Sequence, residues 1–339
     1  GKPIRKALED ILEFFGDAIL VAHNAAFDYG FLNEALKNNG MPALANPVID
    51  TLPIARYLYQ DKRSHSEGAI AREMQIEFDE TSAHRANYDA EMLSKVFEVM
   101  LGKLTENNKK MAHKELASLP VTDKMITSMH PYHTTVLVKN AAGLKDLYKI
   151  ISESHVHYMS SFGLPLVPKS YLSKMRTNLL LGSACLNGEV FEHAMNKGED
   201  VLKRTLSFYD YIEIQPPANY VYLVNKGSLR SMEEVEKIIK DLIKAAKDVG
   251  KMVVATGDCH YVEPSDKIYR DVFIASKALH GARHPLNLAP YDSAREEVKK
   301  KWYQNPIPNP DQHFRTTDEM IECFRFLGDD KLSEEIVID

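Results

Sequence analysis

The sequence predicts an α/β protein with two parts, and three observations support this fold class. The 339 residues provide enough chain for two domains of about 100–200 residues each. Short apolar runs of strand length alternate with longer segments in which apolar residues recur at helical spacing. Hydrophobic residues make up 44% and charged residues 27%, the usual mix of a globular protein, so a disordered or fibrous chain is excluded.

The first hundred residues alternate between helices and short strands. We predict, in order, a helix over 3–15, a strand over 18–22, a helix capped by Asn24 and ended at 38–40, a strand over 47–50, and helices over 51–59, 67–74 and about 85–101. In the last of these helices one apolar stripe recurs at helical spacing, through Ala86, Ala90, Leu93, Phe97 and Met100, which predicts a buried face.

A polar, lysine-rich stretch from Gly102 to about Thr127 is the best candidate for a domain boundary. A second alternating series follows it, with strands predicted at 134–138, 178–182, 211–215 and 252–256 and helices at 141–152, 189–195, 201–209 and 232–249. Repeated βα units favour a parallel sheet or barrel. In such folds the chemistry lies at the C-terminal ends of the strands.

Composition excludes several classes of protein. No run reaches the 18 or so apolar residues of a membrane span and no secretory signal opens the chain, so we expect a cytoplasmic protein without membrane partners. Three cysteines in a chain of this length predict reduced thiols. The net charge of −6 argues against a broad basic surface for nucleic acid. The absence of an initiator Met suggests a piece of a longer polypeptide.

Two acidic residues and a histidine in the first part are candidates for metal-assisted hydrolysis. Asp28 follows a buried strand in the sequence HNAAFD and falls in the first turns of a helix; by itself it also fits an ordinary capping residue. In SAHRANYDAEM, His84 precedes Asp89 by five positions at the start of the long amphipathic helix. Carboxylates on two helices can hold Mg²⁺ or Mn²⁺, and a nearby imidazole can deprotonate the attacking water.

These fragments, in this order, resemble the second and third motifs of the DEDDh 3′–5′ exonucleases, whose fold is RNase H-like. The resemblance implies that Asp28 and Asp89 are metal ligands, that His84 is the general base, and that Asn24 and Phe27 lie beside the terminal nucleotide. The first motif of the family, a strand carrying Asp-x-Glu, has no counterpart in residues 1–22. We therefore expect that this chain by itself does not cleave DNA.

Candidate metal ligands in the second part lie at predicted strand ends. Asp258 and His260 are two residues apart after a buried strand, where both can face one ion, and Cys185 holds the corresponding place after another strand. Cys259 should point the other way and pack. The alternatives stay open: Asp258 as a turn cap, His260 as a loop histidine and Cys185 as a small buried hydrophobe. The roles of three further histidines are undetermined: His133, His155 and His157.

The whole second part resembles the later half of a PHP (polymerase and histidinol phosphatase) domain, a (βα) barrel. The segments that carry the resemblance include GSACLNGEVFEHAM, FYDYIEIQPP, VVATGDCHY and FRTTDEM. The resemblance places Cys185, Asp258 and His260 at metal positions for Zn or Mn. The segment SSFGLPLVPKS departs from the expected arginine-rich form, so a structural role that braces a polymerase is at least as well supported as phosphoesterase activity.

The order of the two resemblances is that of PolC-type replicative DNA polymerases, in which the exonuclease is inserted into the PHP domain. This implies a partial exonuclease over 1–102, a return to PHP over 103–129 and a partial PHP barrel over 130–339. The parent polymerase would take DNA with a primer 3′ end and deoxynucleotides as substrates; a sliding clamp and other replisome proteins are candidate partners. The alternatives are a stand-alone exonuclease fused to a PHP phosphoesterase, or a catalytically inactive scaffold.

Overall fold

The computed structural model divides the chain into two compact units, one formed by Gly1–Pro131 with Val138–Leu179 and the other by Tyr132–Leu137 with Leu180–Asp339. The structure describes residues 2–62, 64–79, 85–105, 113–160, 163–276, 283–290, 296–304 and 308–338. Within these residues, no helix is long and apolar enough to cross a membrane.

The first unit is mostly helical. Its elements are α1 (Ile4–Phe15), β1 (Leu20–Ala22), α2 (Ala25–Asn38), β2 (Val48–Asp50), α3 (Thr51–Leu58), α4 (Glu67–Glu73), α5 (Ala86–Leu104), α6 (His113–Leu116), α7 (Asp123–Ser128), α8 (Ala141–Val156) and α9 (Lys169–Met175). The predicted elements are confirmed to within a few residues at their ends. Strands β1 and β2 pair in parallel with Val21 opposite Ile49, so their C-terminal ends lie side by side.

Apolar side chains of α3, α4 and α5 form the main core of this unit. Ile54, Ile70 and Val96 are fully buried there. The buried face of α5 consists of Met92, Val96 and Met100. Our predicted stripe was therefore partly wrong, because Ala86 and Ala90 are exposed. Sequence spacing gave the helical period, whereas packing against α3 and α4 selected which face is buried.

The predicted boundary region contains ordered elements where the structure describes it. Helices α6 and α7 lie there, and α6 contributes Leu116, 5% exposed, to the main core of the first unit. Thr122 donates a side-chain hydrogen bond to Gln60 Oε1 at 2.7 Å and caps α7 by accepting from Met125 N. These contacts attach the described part of the lysine-rich stretch to the first unit.

The second unit is built on a four-stranded sheet. Its elements are β3 (Thr135–Val138), β4 (Leu179–Gly182), α10 (Glu189–Asn196), α11 (Glu199–Phe208), β5 (Tyr211–Ile214), α12 (Val221–Asn225), α13 (Met232–Asp248), β6 (Met252–Ala255), α14 (Lys267–Ala275), α15 (Glu296–Gln304), α16 (Thr317–Cys323) and α17 (Asp330–Ile338). The four strands lie in the order β3-β4-β5-β6.

Strand order and direction fix where candidate side chains meet. β5 pairs in parallel with β4 and with β6, and Ile214 lies opposite Ala255 at the end of the β5–β6 ladder. The inward residues Leu181, Ile212 and Ile214 are fully buried. Because parallel strands end at the same edge, the residues after β4, β5 and β6 come together there, as the repeated βα pattern predicts.

Candidate functional sites

The first candidate site begins at the turn between β1 and α2. Asp28 lies in the first turn of α2 and is exposed. Phe27 is 47% exposed, and its ring centroid is 4.8 Å from that of Phe31, so the two rings form an aromatic surface beside Asp28. Asn24 is exposed and adopts a left-handed conformation with φ 65°. Our prediction that its side chain caps α2 was wrong, since no such bond is found among the described residues.

Asp50 holds this turn from the neighbouring strand. Its Oδ1 accepts hydrogen bonds from the backbone N–H groups of Asn24 and Leu52, both at 2.9 Å. One carboxylate oxygen therefore caps α3 and fixes the turn that leads into α2. The left-handed residue Asn24 reverses the chain so that α2 starts directly beyond the end of β1.

Asp89 lies in the first turn of α5 and is half-buried. Helix α5 contacts both α3 and α4, so the position of Asp89 is set by the core rather than by a loop. His84, the predicted general base, lies outside the described residues. Asp28 and Asp89 thus each occupy the first turn of a helix, where the helix dipole favours a carboxylate.

Glu67 is an acidic residue beside this site that the sequence did not single out. It is the first residue of α4, and its Oε1 is buried without a hydrogen-bond partner among the described residues. Burial, reinforced by the nearby Asp89 carboxylate, raises the pKa of Glu67 to about 7. No sequence pattern marks it, because a Glu in the first turn of a helix is already explained by its favourable interaction with the helix dipole.

The second candidate site lies beyond the end of β6. Asp258 Oδ1 is 3.5 Å from His260 Nε2, and Asp258 Oδ2 accepts a hydrogen bond from Gln312 Nε2 at 2.9 Å. The two residues meet as predicted, but for a different reason. Asp258 has φ 49°, so a left-handed turn rather than an extended strand end brings the side chains together.

Gln312 is a buried residue that sequence reasoning missed. The residue is 3% exposed. In addition to the side-chain bond to Asp258, its backbone carbonyl accepts a hydrogen bond from the backbone N–H of His260 at 2.8 Å. Its Oε1 is buried without a described partner. Burial and the nearby Arg270 guanidinium lower the pKa of His260, which favours the neutral imidazole.

Cys185 and His133 meet at the end of β4. Cys185 Sγ lies 3.3 Å from His133 Nδ1. Burial raises the pKa of the Cys185 thiol, with smaller contributions from the Asp258 and Glu213 carboxylates. Cys259, by contrast, is exposed, so the expectation that it packs was wrong.

His155 and His157 lie at the C-terminal end of helix α8 and contact residues of that helix. His155 Nδ1 donates to the carbonyl of Ile151 at 2.8 Å if that nitrogen carries the proton, and His157 lies 3.0 Å from Glu153 Oε1. Both are exposed; His155 lies in the last turn of α8 and His157 directly follows it.

The donor chemistry of each site can be compared with the metals expected there. Carboxylate oxygens of Asp28 and Asp89 suit Mg²⁺ or Mn²⁺, and the sulfur, nitrogen and oxygen donors of Cys185, His260 and Asp258 suit Zn²⁺. Among the described residues, however, no three His, Cys, Asp or Glu side chains are grouped closely enough to hold an ion. Each site therefore offers suitable donors without a complete described coordination set.

Residues 1–97 match the sequence model of the exonuclease family, RNase_T. The match covers the first part of the chain, whose mixed α/β fold agrees with that family. Along its length the chain is 42% identical to the DNA polymerase III PolC-type of Lactococcus lactis, covering 100% of this chain and 20% of the relative. It is 40% identical to the DNA polymerase III PolC-type of Bacillus subtilis, over 97% of this chain and 21% of the relative.

A third relative, the DNA polymerase III PolC-type of Streptococcus sanguinis, is 36% identical over 100% of this chain and 22% of its own length. The chain is therefore homologous, from end to end, to a segment of PolC-type DNA polymerase III. It spans about a fifth of the length of these relatives.

Proposed function

We propose that the chain is part of a PolC-type replicative DNA polymerase and that its first unit contributes to the 3′–5′ proofreading exonuclease. The observation that carries the proposal is the whole-chain identity of 36–42% to such polymerases, together with the exonuclease match over residues 1–97. That matched range includes Asp28, Asp89 and His84. The polymerase would extend a primer with deoxynucleotides and remove mismatched ones.

In the proposed exonuclease, Asp28 and Asp89 present carboxylate oxygens from two helix starts. Bound Mg²⁺ or Mn²⁺ would lower the pKa of the attacking water and stabilise the leaving oxygen. His84 would accept the proton of that water. The exposed ring of Phe27 offers a stacking surface for the terminal base, and Asn24 lies in the same turn.

The acidic balance of the chain agrees with this proposal. Carboxylates that approach DNA do so through divalent cations, so a net charge of −6 does not prevent contact with a primer end. The basic surface that grips a duplex would belong to other parts of the polymerase. A sliding clamp and further replisome proteins are proposed as partners of that larger protein, which would act in the cytoplasm.

For the second part we propose a partial PHP barrel over 130–339, joined through 103–129 to the partial RNase H-like exonuclease over 1–102. Cys185, Asp258 and His260 are its proposed metal ligands, for Zn or Mn, with His133 beside Cys185. Hydrogen bonds already engage Asp258, so the network also suits a role that braces the polymerase without catalysis.

The exonuclease proposal is tested in the full-length polymerase by the substitution Asp89→Asn. Loss of one metal-binding carboxylate should lower the release of 3′ nucleotides with Mn²⁺ by more than about 100-fold while primer extension is kept. Glu91→Gln is the matched control, because Glu91 lies on the same helix and pairs with Lys95 at the surface. Undiminished nucleotide release in Asp89→Asn would contradict the site assignment.

Two alternatives would give different results. A stand-alone exonuclease fused to a phosphoesterase would not extend primers, and an inactive scaffold would neither extend nor degrade them. The relatives, all named DNA polymerase III PolC-type, favour neither alternative.

A further inference from the structure

His23 is a partly buried histidine between β1 and α2 whose two ring nitrogens contact two different segments. Its Nδ1 lies 2.9 Å from Thr51 Oγ1, at the start of α3. Its Nε2 lies 2.8 Å from the carbonyl oxygen of His65, in the loop that leads into α4. The imidazole thus joins segments 28 and 42 positions away in the chain.

The chemistry of the partners determines the protonation state of His23. The carbonyl of His65 can only accept, so Nε2 must carry the proton and donate it. In the neutral ring, Nδ1 then accepts from the hydroxyl of Thr51. Burial lowers the pKa of His23, which favours this neutral form at physiological pH. Thr51 is fully buried, so the pair is shielded from competing water.

These bonds link the turn before α2, the helix with Asp28, to the start of α3 and to the loop before α4. Both α3 and α4 pack against α5, the helix with Asp89. On one side, His23 precedes Asn24, whose N–H is held by Asp50 at the entry to α2. On the other side, His65 precedes α4, which packs against α5. Burial, and after it the charge of Asp89 on α5, raises the pKa of Glu67 at the start of α4, so the two helix starts are close.

We propose that His23 is a positioning residue of the exonuclease, setting the separation between Asp28 and Asp89 by tying the entry of α2 to the entry of α4. The inference rests on the proposed function. His23 needs no contact with substrate or metal to act in this way. It acts through the hydrogen bonds of its two nitrogens, so an apolar ring of similar size cannot replace it.

The test uses the full-length polymerase with the substitutions His23→Phe, His23→Gln and Thr51→Val. His23→Phe keeps the ring but loses both hydrogen bonds, and kcat for 3′ nucleotide release should fall about 10–100-fold with KM for DNA unchanged. Thr51→Val removes the bond to His23 Nδ1, together with the 3.3 Å contact of the hydroxyl with the Ala22 carbonyl, but keeps the bond to His65; it should cause a smaller fall. His23→Gln supplies one donor and one acceptor and should restore most of the lost kcat. Primer extension by the same preparations reports on folding.

His157→Phe is the control, because it makes the same chemical change at an exposed histidine that directly follows α8. A second measurement is independent of activity: amide hydrogen exchange should become faster at residues 23–28 and 65–70 in His23→Phe only. Unchanged kcat in His23→Phe, or exchange unchanged at both segments, would overturn the inference. So would a fall that His23→Gln does not reverse. Full activity of Asp89→Asn would instead overturn the proposed function itself.

Discussion

At the scale of single residues, the surroundings of a side chain decide its chemistry more than its type does. Glu67 and Glu91 are both glutamates near the start of a helix. Glu91 is exposed, and the hydrogen bond from Lys95 lowers its pKa. Glu67 is partly buried, lies near Asp89, and has its pKa raised to about 7. Sequence reasoning cannot separate the two, because neighbours distant in the chain provide the burial.

The raised pKa of Glu67 makes stability depend on pH. In the folded chain the pKa of Glu67 is about 7, above the ordinary value of 4.5. The contribution of the protonated carboxyl to folding stability is therefore complete below pH 4.5 and is lost as the pH rises through about 7. Glu67→Gln cannot ionise and should escape that loss. We expect the free energy of unfolding of Glu67→Gln, relative to that of the wild type, to increase by about 1 kcal/mol between these pH values, after allowance for solvent screening.

Urea denaturation of the 339-residue chain at several pH values measures this difference. Glu91→Gln is the control, and its stability relative to the wild type should not improve over the same pH interval. A difference between Glu67→Gln and the wild type that stays constant with pH would show that the carboxyl titrates normally.

The three cysteines differ in their exposure to solvent. Cys259 is exposed, whereas burial raises the pKa of the Cys185 and Cys323 thiols. Since the thiolate is the nucleophile, iodoacetamide at mildly alkaline pH should modify Cys259 first. Peptide mass spectrometry over a time course measures the order. Faster modification of Cys185 would mean that its contact with His133 activates the thiol.

At the scale of elements, packing can reverse the preference of the backbone. Gly143 and Gly102 both lie in helices, where alanine is normally the better residue by about 1 kcal/mol. A Cβ at Gly143 would clash with the backbone carbonyl oxygen of Asn178, because the two atoms would be much closer than van der Waals contact allows. A Cβ at Gly102 would meet no described atom within 4 Å. The same substitution therefore has opposite expected effects.

We expect Gly143→Ala to destabilise the chain by about 2 kcal/mol, because α8 must move away from Asn178. Gly102→Ala should stabilise it by about 0.5–1 kcal/mol. Thermal and urea denaturation of both variants measure the two signs. A stabilised Gly143→Ala would indicate that α8 can shift without loss of packing.

At the scale of the whole molecule, the prediction concerns the activity of the 339-residue chain by itself. Residues 1–22 contain no Asp-x-Glu sequence, the first motif of the exonuclease family that the chain resembles. We therefore expect the 339-residue chain, assayed alone with Mn²⁺, to release no nucleotide from a DNA 3′ end. A longer PolC-type polypeptide that includes this segment should do so. Nucleotide release by the chain alone, abolished by Asp89→Asn, would contradict this expectation.

Sequence by itself determined the alternation of helices and strands and the similarity to PolC-type polymerases, and it proposed the two candidate sites. Local signals suffice for these: apolar periodicity, the HNAAFD segment and the Asp-x-His pair are all contained in short stretches. Tertiary structure alone decided which face of α5 is buried, why Asp258 meets His260, and how His23 joins α2 to α4. Burial, left-handed turns and hydrogen bonds between residues far apart in the chain depend on the folded neighbours, which no local pattern encodes.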